Sequence, residues 1–214
     1  MINTQSARSP GIPKLNKQDV PLFPLTTVLF PGGPLPLRVF EPRYLDMVSR
    51  CMREQVPFGV LLLSGGVEVG GQAVVRTESV GTLATISDWY QGTDGLLGIT
   101  AFGGERFRLL GMQRQSDGLN IGEIELLESE AETPLPARYA LMAELLRAVI
   151  DDLGKLYESV DKRYDDASWL GFRFAEILPM NNAQKQICLE MTDPIARLEY
   201  LQPLLRQIRD QQTQ

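Results

Sequence analysis

Few side chains in this sequence are placed to make or break bonds. It contains no histidine, which removes Ser-His-Asp triads, Cys-His pairs and histidine-based zinc sites. Its two cysteines, Cys51 and Cys188, stand far apart among apolar residues of predicted helices. They cannot build a four-thiolate site, and they read as buried thiols in a reducing compartment. A long-range disulfide is the alternative. Two acidic pairs, Asp151-Asp152 and Asp165-Asp166, lie near predicted helix ends. Adjacent helical residues point about 100° apart, so neither pair converges on one substrate atom, and solvated helix ends are the plainer reading. The same holds for Glu128, Glu130 and Glu132. The glycine pairs Gly65-Gly66 and Gly70-Gly71 fit neither G-x-G-x-x-G nor G-x-x-x-x-G-K-[ST]. They read as a flexible loop, and no ATPase activity, cofactor or metal site is expected.

What remains is the chemistry of binding, carried by aromatic or apolar groups beside arginine and by unpaired strand edges. Trp89 and Tyr90 adjoin a predicted hairpin turn and are the first candidates, with a core role as the alternative. Phe30 sits in a Pro-Gly loop and is treated in the same way. Arg43 and Tyr44 open the first predicted helix, although Arg43 can pair with Glu41 and Tyr44 can belong to the core. Arg106 and Arg108 fall on one strand face by alternation, as binding residues or as solvated ion pairs.

The elements that must position these residues begin at Val20. Val20–Leu25 is a short apolar run with Pro21 and Pro24, which predicts an edge or terminal strand. Phe30-Pro31-Gly32-Gly33-Pro34 is a turn. Leu35–Phe40 alternates as a half-buried strand. Pro42 suits a helix start, and Tyr44, Leu45, Met47, Val48, Cys51 and Met52 follow at helical spacing. Phe58–Leu63 is a continuous apolar run, as in a strand buried on both faces, and Ser64-Gly65-Gly66 is expected to end it. Residues 80–127 read as an antiparallel meander: Val80–Tyr90, an Asp94-Gly95 turn, Leu96–Phe102, a break at Gly103-Gly104, Glu105–Gln115 and Leu119–Leu127. With the first three strands they can close a small barrel.

Beyond Pro134 and Pro136 the apolar period changes from 2 to 3.6. Helices are expected from Tyr139 to Ile150, from Ala167 to Leu178, from Asn182 to Met191, and from an Asp193-Pro194 start to the C-terminus. Leu156–Val160 either continues the first or lies outside it. The fold class is α+β, with a flexible tail over 1–19, a β-rich part over 20–133 and a helical part over 134–214.

The order of local motifs resembles the N-terminal, substrate-recognition domain of Lon proteases. Pro21-Leu22-Phe23-Pro24-Leu25, Val28-Leu29-Phe30-Pro31-Gly32 and Leu35-Pro36-Leu37 are similar to that family's opening strand, turn and second strand. Val80-Gly81-Thr82-Leu83-Ala84 is similar to its V-G-T-x-A strand, and Gly104-Glu105-Arg106-Phe107-Arg108 to its G-x-x-R-x-R segment. Leu178, Lys185-Gln186 and Arg197-Leu198 fall in a stretch like its C-terminal helical part. The resemblance implies a PUA-like pseudobarrel followed by a helical bundle. It also implies a recognition domain standing alone, because neither an ATPase module nor a serine–lysine protease pair is recognisable.

The chain has 214 residues, 43% of them hydrophobic, and a formal charge of −6. It has no dense basic run, and no lysine falls between Lys17 and Lys155. That argues against nonspecific nucleic-acid binding, which needs clustered cations on phosphates. No segment has signal-peptide form or approaches the roughly 20 apolar residues that span a bilayer, so a cytoplasmic protein without a membrane role is expected. The functional expectation is a noncatalytic module for polypeptide clients or a protein partner. The alternatives are an RNA-binding PUA-like module and a regulatory protein with a small-ligand pocket.

Overall fold

The computed structural model describes residues 17–69 and 72–212. Most of the expected tail lies outside the described residues, but Lys17–Asp19 are already strand. β1 (Lys17–Leu25) pairs antiparallel with β7 (Asn120–Leu126), from Lys17↔Glu125 to Leu22↔Asn120. It pairs in parallel with β3 (Phe58–Val69), from Leu22↔Gly59 to Leu25↔Leu62. It is therefore an interior strand, not the edge that its prolines predict. The prolines fit because the pairing changes partner at Leu22, leaving Pro21 and Pro24 each with one unpaired side.

β5 (Val80–Gln91) joins β3 to β6 (Leu97–Arg114), and β6 joins β7. The ring β1–β7–β6–β5–β3 closes in this way. β2 (Pro34–Val39) pairs with the first part of β6, from Pro34↔Phe102 to Val39↔Leu97. Together with the outer half of β5 it carries a three-strand ledge beyond the ring. β4 (Gln72–Thr77) pairs back on the outer half of β3. Gly65-Gly66 thus does not end β3. The strand runs on to Val69 through a register shift between Leu63 and Gly65, and Gly70-Gly71 lies outside the described residues.

Gly103-Gly104 does not break β6 either. The glycine at 103 is required because the Pro-Gly loop crosses the strand there. Gly32 N–H donates to Gly103 O at 2.7 Å and Gly103 N–H to Gly33 O at 2.9 Å. A Cβ on Gly103 would stand 2.1 Å from the Phe30 carbonyl oxygen. The oxygen is a backbone atom and the Cβ position is fixed by the backbone, so neither can rotate away, and Gly103→Ala is expected to lower stability by about 1–3 kcal/mol, measured by urea unfolding.

α1 (Pro42–Glu54) caps one end of the barrel and buries Tyr44, Met47, Val48 and Cys51 against Phe23, Phe58, Val60 and Ile99. It stops at Gln55, whose φ of 53° is left-handed. The apolar run of β3 serves three separate clusters: Phe58 and Val60 face α1, Leu61 faces the barrel interior with Phe107, and Leu62 faces the helices.

The helical part holds α2 (Ala140–Leu153), α3 (Ala167–Ile177), α4 (Asn182–Glu190) and α5 (Pro194–Gln212). α3 is central, with every residue from Ala167 to Ala175 buried. Asp166 caps it by accepting from Ser168 N–H at 3.0 Å, and Asp193 caps α5 by accepting from Ile195 N–H at 2.8 Å, as short polar residues do at helix starts. Gly154, at φ 56°, ends α2, and a 3-10 turn over Gly154–Tyr157 follows. Leu156 is therefore not a continuation of α2. Cys51 and Cys188 are buried free thiols. Burial pushes both upward in pKa, Cys188 to about 11.

Candidate functional site

Two buried charged groups and one open groove account for the candidate residues. The first buried group joins the barrel to the helices. Arg106 reaches off β6 and donates to the carbonyls of Leu189 and Met191, each at 2.7 Å. Arg197 of α5 donates through Nε to Cys188 O at 2.9 Å. Both guanidiniums pair with the carboxylate of Glu130, which also accepts from Ser168 Oγ. Both also lie over the Phe172 ring, 5.6 Å and 3.8 Å from its centroid. Glu130 is only 6% exposed, so it is no solvated helix end. Burial is the main influence on Arg106 and lowers its pKa, with Glu130 acting in the opposite direction.

A second buried group lies under the Pro-Gly loop. Arg173 is fully buried, donates to Pro31 O at 2.8 Å and pairs with Glu176 at 3.0 Å. Tyr157 donates its hydroxyl to Glu176, and a Cβ on Gly33 would strike the same carboxylate at 2.0 Å. Burial raises the Glu176 pKa above its ordinary 4.5. A raised carboxyl pKa means that the folded state holds the proton more tightly, so this contribution is full below the ordinary value and is lost as pH rises through the folded one. The stability of the native chain relative to Glu176→Gln should therefore fall as pH rises from about 4.5. Urea unfolding across that range measures it.

These charges pair with one another and with backbone carbonyls and hold two layers together, although Arg173 Nε and Nη1 and Glu176 Oε2 make no hydrogen bond. Among the described residues no group of three or more His, Cys, Asp or Glu is placed to hold a metal ion. No helix among them is long and apolar enough to cross a membrane.

The buried constellations account for several candidates. Arg106 belongs to the first and is not a solvated strand residue. Alternation does put it on one face with Arg108, but the α4–α5 junction covers only Arg106, and Arg108 stays exposed opposite Glu125. Phe30 is fully buried, with its ring 6.0 Å from Phe172, because the Pro-Gly loop folds inward over α3. Tyr44 is buried and stacks on Phe23 at 4.0 Å. Arg43 spans Glu41 at 2.6 Å and Gly118 O at 3.0 Å, tying α1 to the turn after β6.

Trp89 and Tyr90 are different. The row Leu37–Ile99–Trp89 crosses the ledge on one face. Ile99 is fully buried there, yet Trp89 is 56% exposed. It lies on the core side of a stretch of β5 that reaches beyond α1, and more than half of its surface is left uncovered. Tyr90 points to the opposite face, where its ring lies over Gly98: a Cβ there would stand 2.3 Å from a ring carbon. Tyr90 thus shields a glycine in a strand interior, while Trp89 shields nothing.

Trp89 walls a groove of about 200 Å³ between the last turn of α1 and β5. Met52, Gln55 and Val56 form one side, and Thr85, Ile86, Ser87 and Asp88 the other. Five consecutive residues of β5 line it, not alternate ones, so the groove runs along the strand's edge and not over one face. From Thr85 to Gln91 β5 pairs with β6 on one side, and among the described residues no strand pairs on the other. Trp89 N–H donates to its neighbour Asp88 Oδ1 at 2.8 Å. Nothing local in the sequence marks Met52, Val56 and Ile86 as one wall; the only available signal was Trp89 beside a turn.

The architecture is that of the N-terminal domains of Lon proteases. The "Lon N-terminal domain protein from Xanthomonas campestris" superposes with a TM-score of 0.70 at 34% identity, covering 87% of this chain and 98% of that one. The "N terminal domain of Mycobacterium avium complex Lon protease" superposes with a TM-score of 0.59 at 21% identity and shares the fold. Residues 19–207 match the model of the "ATP-dependent protease La (LON) substrate-binding domain", and the chain belongs to that family. A Lon protease of Phenylobacterium zucineum (strain HLK1) is 28% identical over 213 residues, 97% of this chain and 26% of that protein. Protein cereblon of Gallus gallus is 30% identical over 114 residues, 51% of this chain and 24% of that protein. The chain thus spans about a quarter of the curated relatives it matches.

Proposed function

We propose that this chain is a noncatalytic polypeptide-binding module of the cytoplasm that recognises exposed apolar segments of unfolded or damaged proteins. The observation that carries the reading is Trp89, an aromatic on the core side of β5 left more than half exposed, over a groove of mixed apolar and polar walls at an open strand edge. Large aromatics in partly desolvated pockets supply much of the energy at polypeptide interfaces. Membership in a substrate-binding family supports the same reading. An RNA role gains no site from the expected basic pair, since Arg106 is buried and Arg108 stands without it.

Titration of the chain with reduced, carboxymethylated α-lactalbumin tests the proposal, with native α-lactalbumin and a single-stranded RNA as comparisons. Binding of the unfolded protein alone, with little dependence on salt, is the expected result. Binding of RNA with a steep salt slope and none of the unfolded protein would overturn it.

A further inference from the structure

We propose that the groove takes its polypeptide as an added β-strand; the inference rests on the reading above. An extended segment pairs with the open edge of β5 over Thr85–Gln91 and inserts one aliphatic side chain between Met52, Val56, Ile86 and Trp89. An unpaired strand edge presents backbone donors and acceptors at the strand repeat, interrupted here only by the register shift between Ile86 and Asp88, and another extended backbone matches that spacing. The groove follows this edge along five consecutive residues. Antiparallel pairing turns alternate residues of a strand toward its free side, and the donation of the Trp89 amide to Asp88 marks an amide with no ladder partner. A carbonyl of the incoming strand replaces the Asp88 oxygen there.

The chemistry of the walls narrows the occupant. Asp88 is the one charged residue lining the groove, and it is engaged with the Trp89 amide. The remaining walls are apolar or neutral, so an acidic side chain entering the groove finds no counter-ion and meets the Asp88 carboxylate. The favoured segment is extended and free of acidic residues, with apolar residues at alternate positions and no proline at the paired ones. Such stretches are strand cores in folded proteins and become accessible only on unfolding.

Matched fluorescein-labelled peptides of alternating valine and threonine around a central leucine test this, read by fluorescence anisotropy. One set carries N-methyl groups on the amides of odd positions and another on those of even positions, so that each blocks one edge of the bound strand. One set should bind about tenfold or more weakly than the parent, as expected for the loss of two or more backbone hydrogen bonds, while the other stays within about twofold. Val56→Arg, at a position 39% exposed, should weaken the parent about tenfold with an unchanged far-ultraviolet circular dichroism spectrum. Equal binding of both methylated sets overturns strand addition and leaves the polypeptide-binding reading standing. So does binding of carboxymethylated α-lactalbumin without binding of the parent peptide. Peptide that only converts a dimer of this chain to monomer assigns the edge to a second copy and overturns the proposal. Binding of neither peptide nor unfolded protein overturns both.

Discussion

Glu130→Gln is expected to lower the free energy of unfolding by about 3–5 kcal/mol, the range for breaking a buried ion pair by removing one partner. The substitution keeps the side chain's size but removes the negative charge between two buried guanidiniums. Arg106 and Arg197 keep their bonds to Leu189, Cys188 and Met191 carbonyls, yet their charges are then opposed only by the Phe172 ring. Little solvent screens them, because Arg106 is 4% exposed and Arg197 is fully buried. The exposed Arg38–Asp94 pair is the internal comparison: Asp94→Asn should cost less than about 1 kcal/mol. Urea unfolding of the two variants beside the native chain makes the measurement. A Glu130→Gln chain as stable as Asp94→Asn would mean that the barrel and helices do not depend on this junction.

Trp89→Ala should weaken binding of unfolded polypeptide by about 30-fold, or roughly 2 kcal/mol, as for an aromatic at the centre of an interface. Its stability should stay within about 1 kcal/mol of the native chain, because the ring already faces solvent over half its surface. Tyr90→Ala is the discriminating comparison. That ring lies on the opposite face of the ledge, over Gly98, so its loss should leave affinity within about threefold. Equal losses from the two variants would indicate a diffuse aromatic patch, and an effect of Tyr90 alone would move the site to the other face.

Local pattern was sufficient where neighbours in the chain decide structure. The helical spacing of α1, the Asp193-Pro194 start of α5 and the meander through β5, β6 and β7 are all legible in this way. It was insufficient where distant segments meet. Gly103 reads as a strand break because its partners, Gly32 and Gly33, and the Phe30 carbonyl that excludes a side chain there belong to a loop far back in the chain. Glu130 reads as a solvated acid because Arg106 and Arg197 come from a strand and a helix on either side of it. Pro21 and Pro24 mark an edge correctly in the sense that each has a free side. No local rule reveals that β1 exchanges one partner for another between them. The groove is the same kind of feature: Trp89 is conspicuous in the sequence, whereas its opposite wall comes from the end of a helix more than thirty residues earlier.

Those distant meetings divide the arginines by role. The buried ones serve architecture, and their charges are spent on Glu130, Glu176 and carbonyl oxygens. The groove proposed for recognition joins Met52, Val56, Ile86 and Trp89 to Gln55, Thr85, Ser87 and Asp88, on a ledge that the barrel closure leaves with an open edge. With Asp88 in its wall and a net charge of −6, the chain is suited to extended polypeptide without acidic residues.

Hydrogen exchange of backbone amides, with and without carboxymethylated α-lactalbumin, tests this account most directly. The predicted result is new protection confined to Thr85–Gln91 and the last turn of α1, with the junction around Arg106 and Glu130 unchanged. Protection centred instead on the exposed face of α2 at Leu141 and Leu145, or no change anywhere, would contradict it.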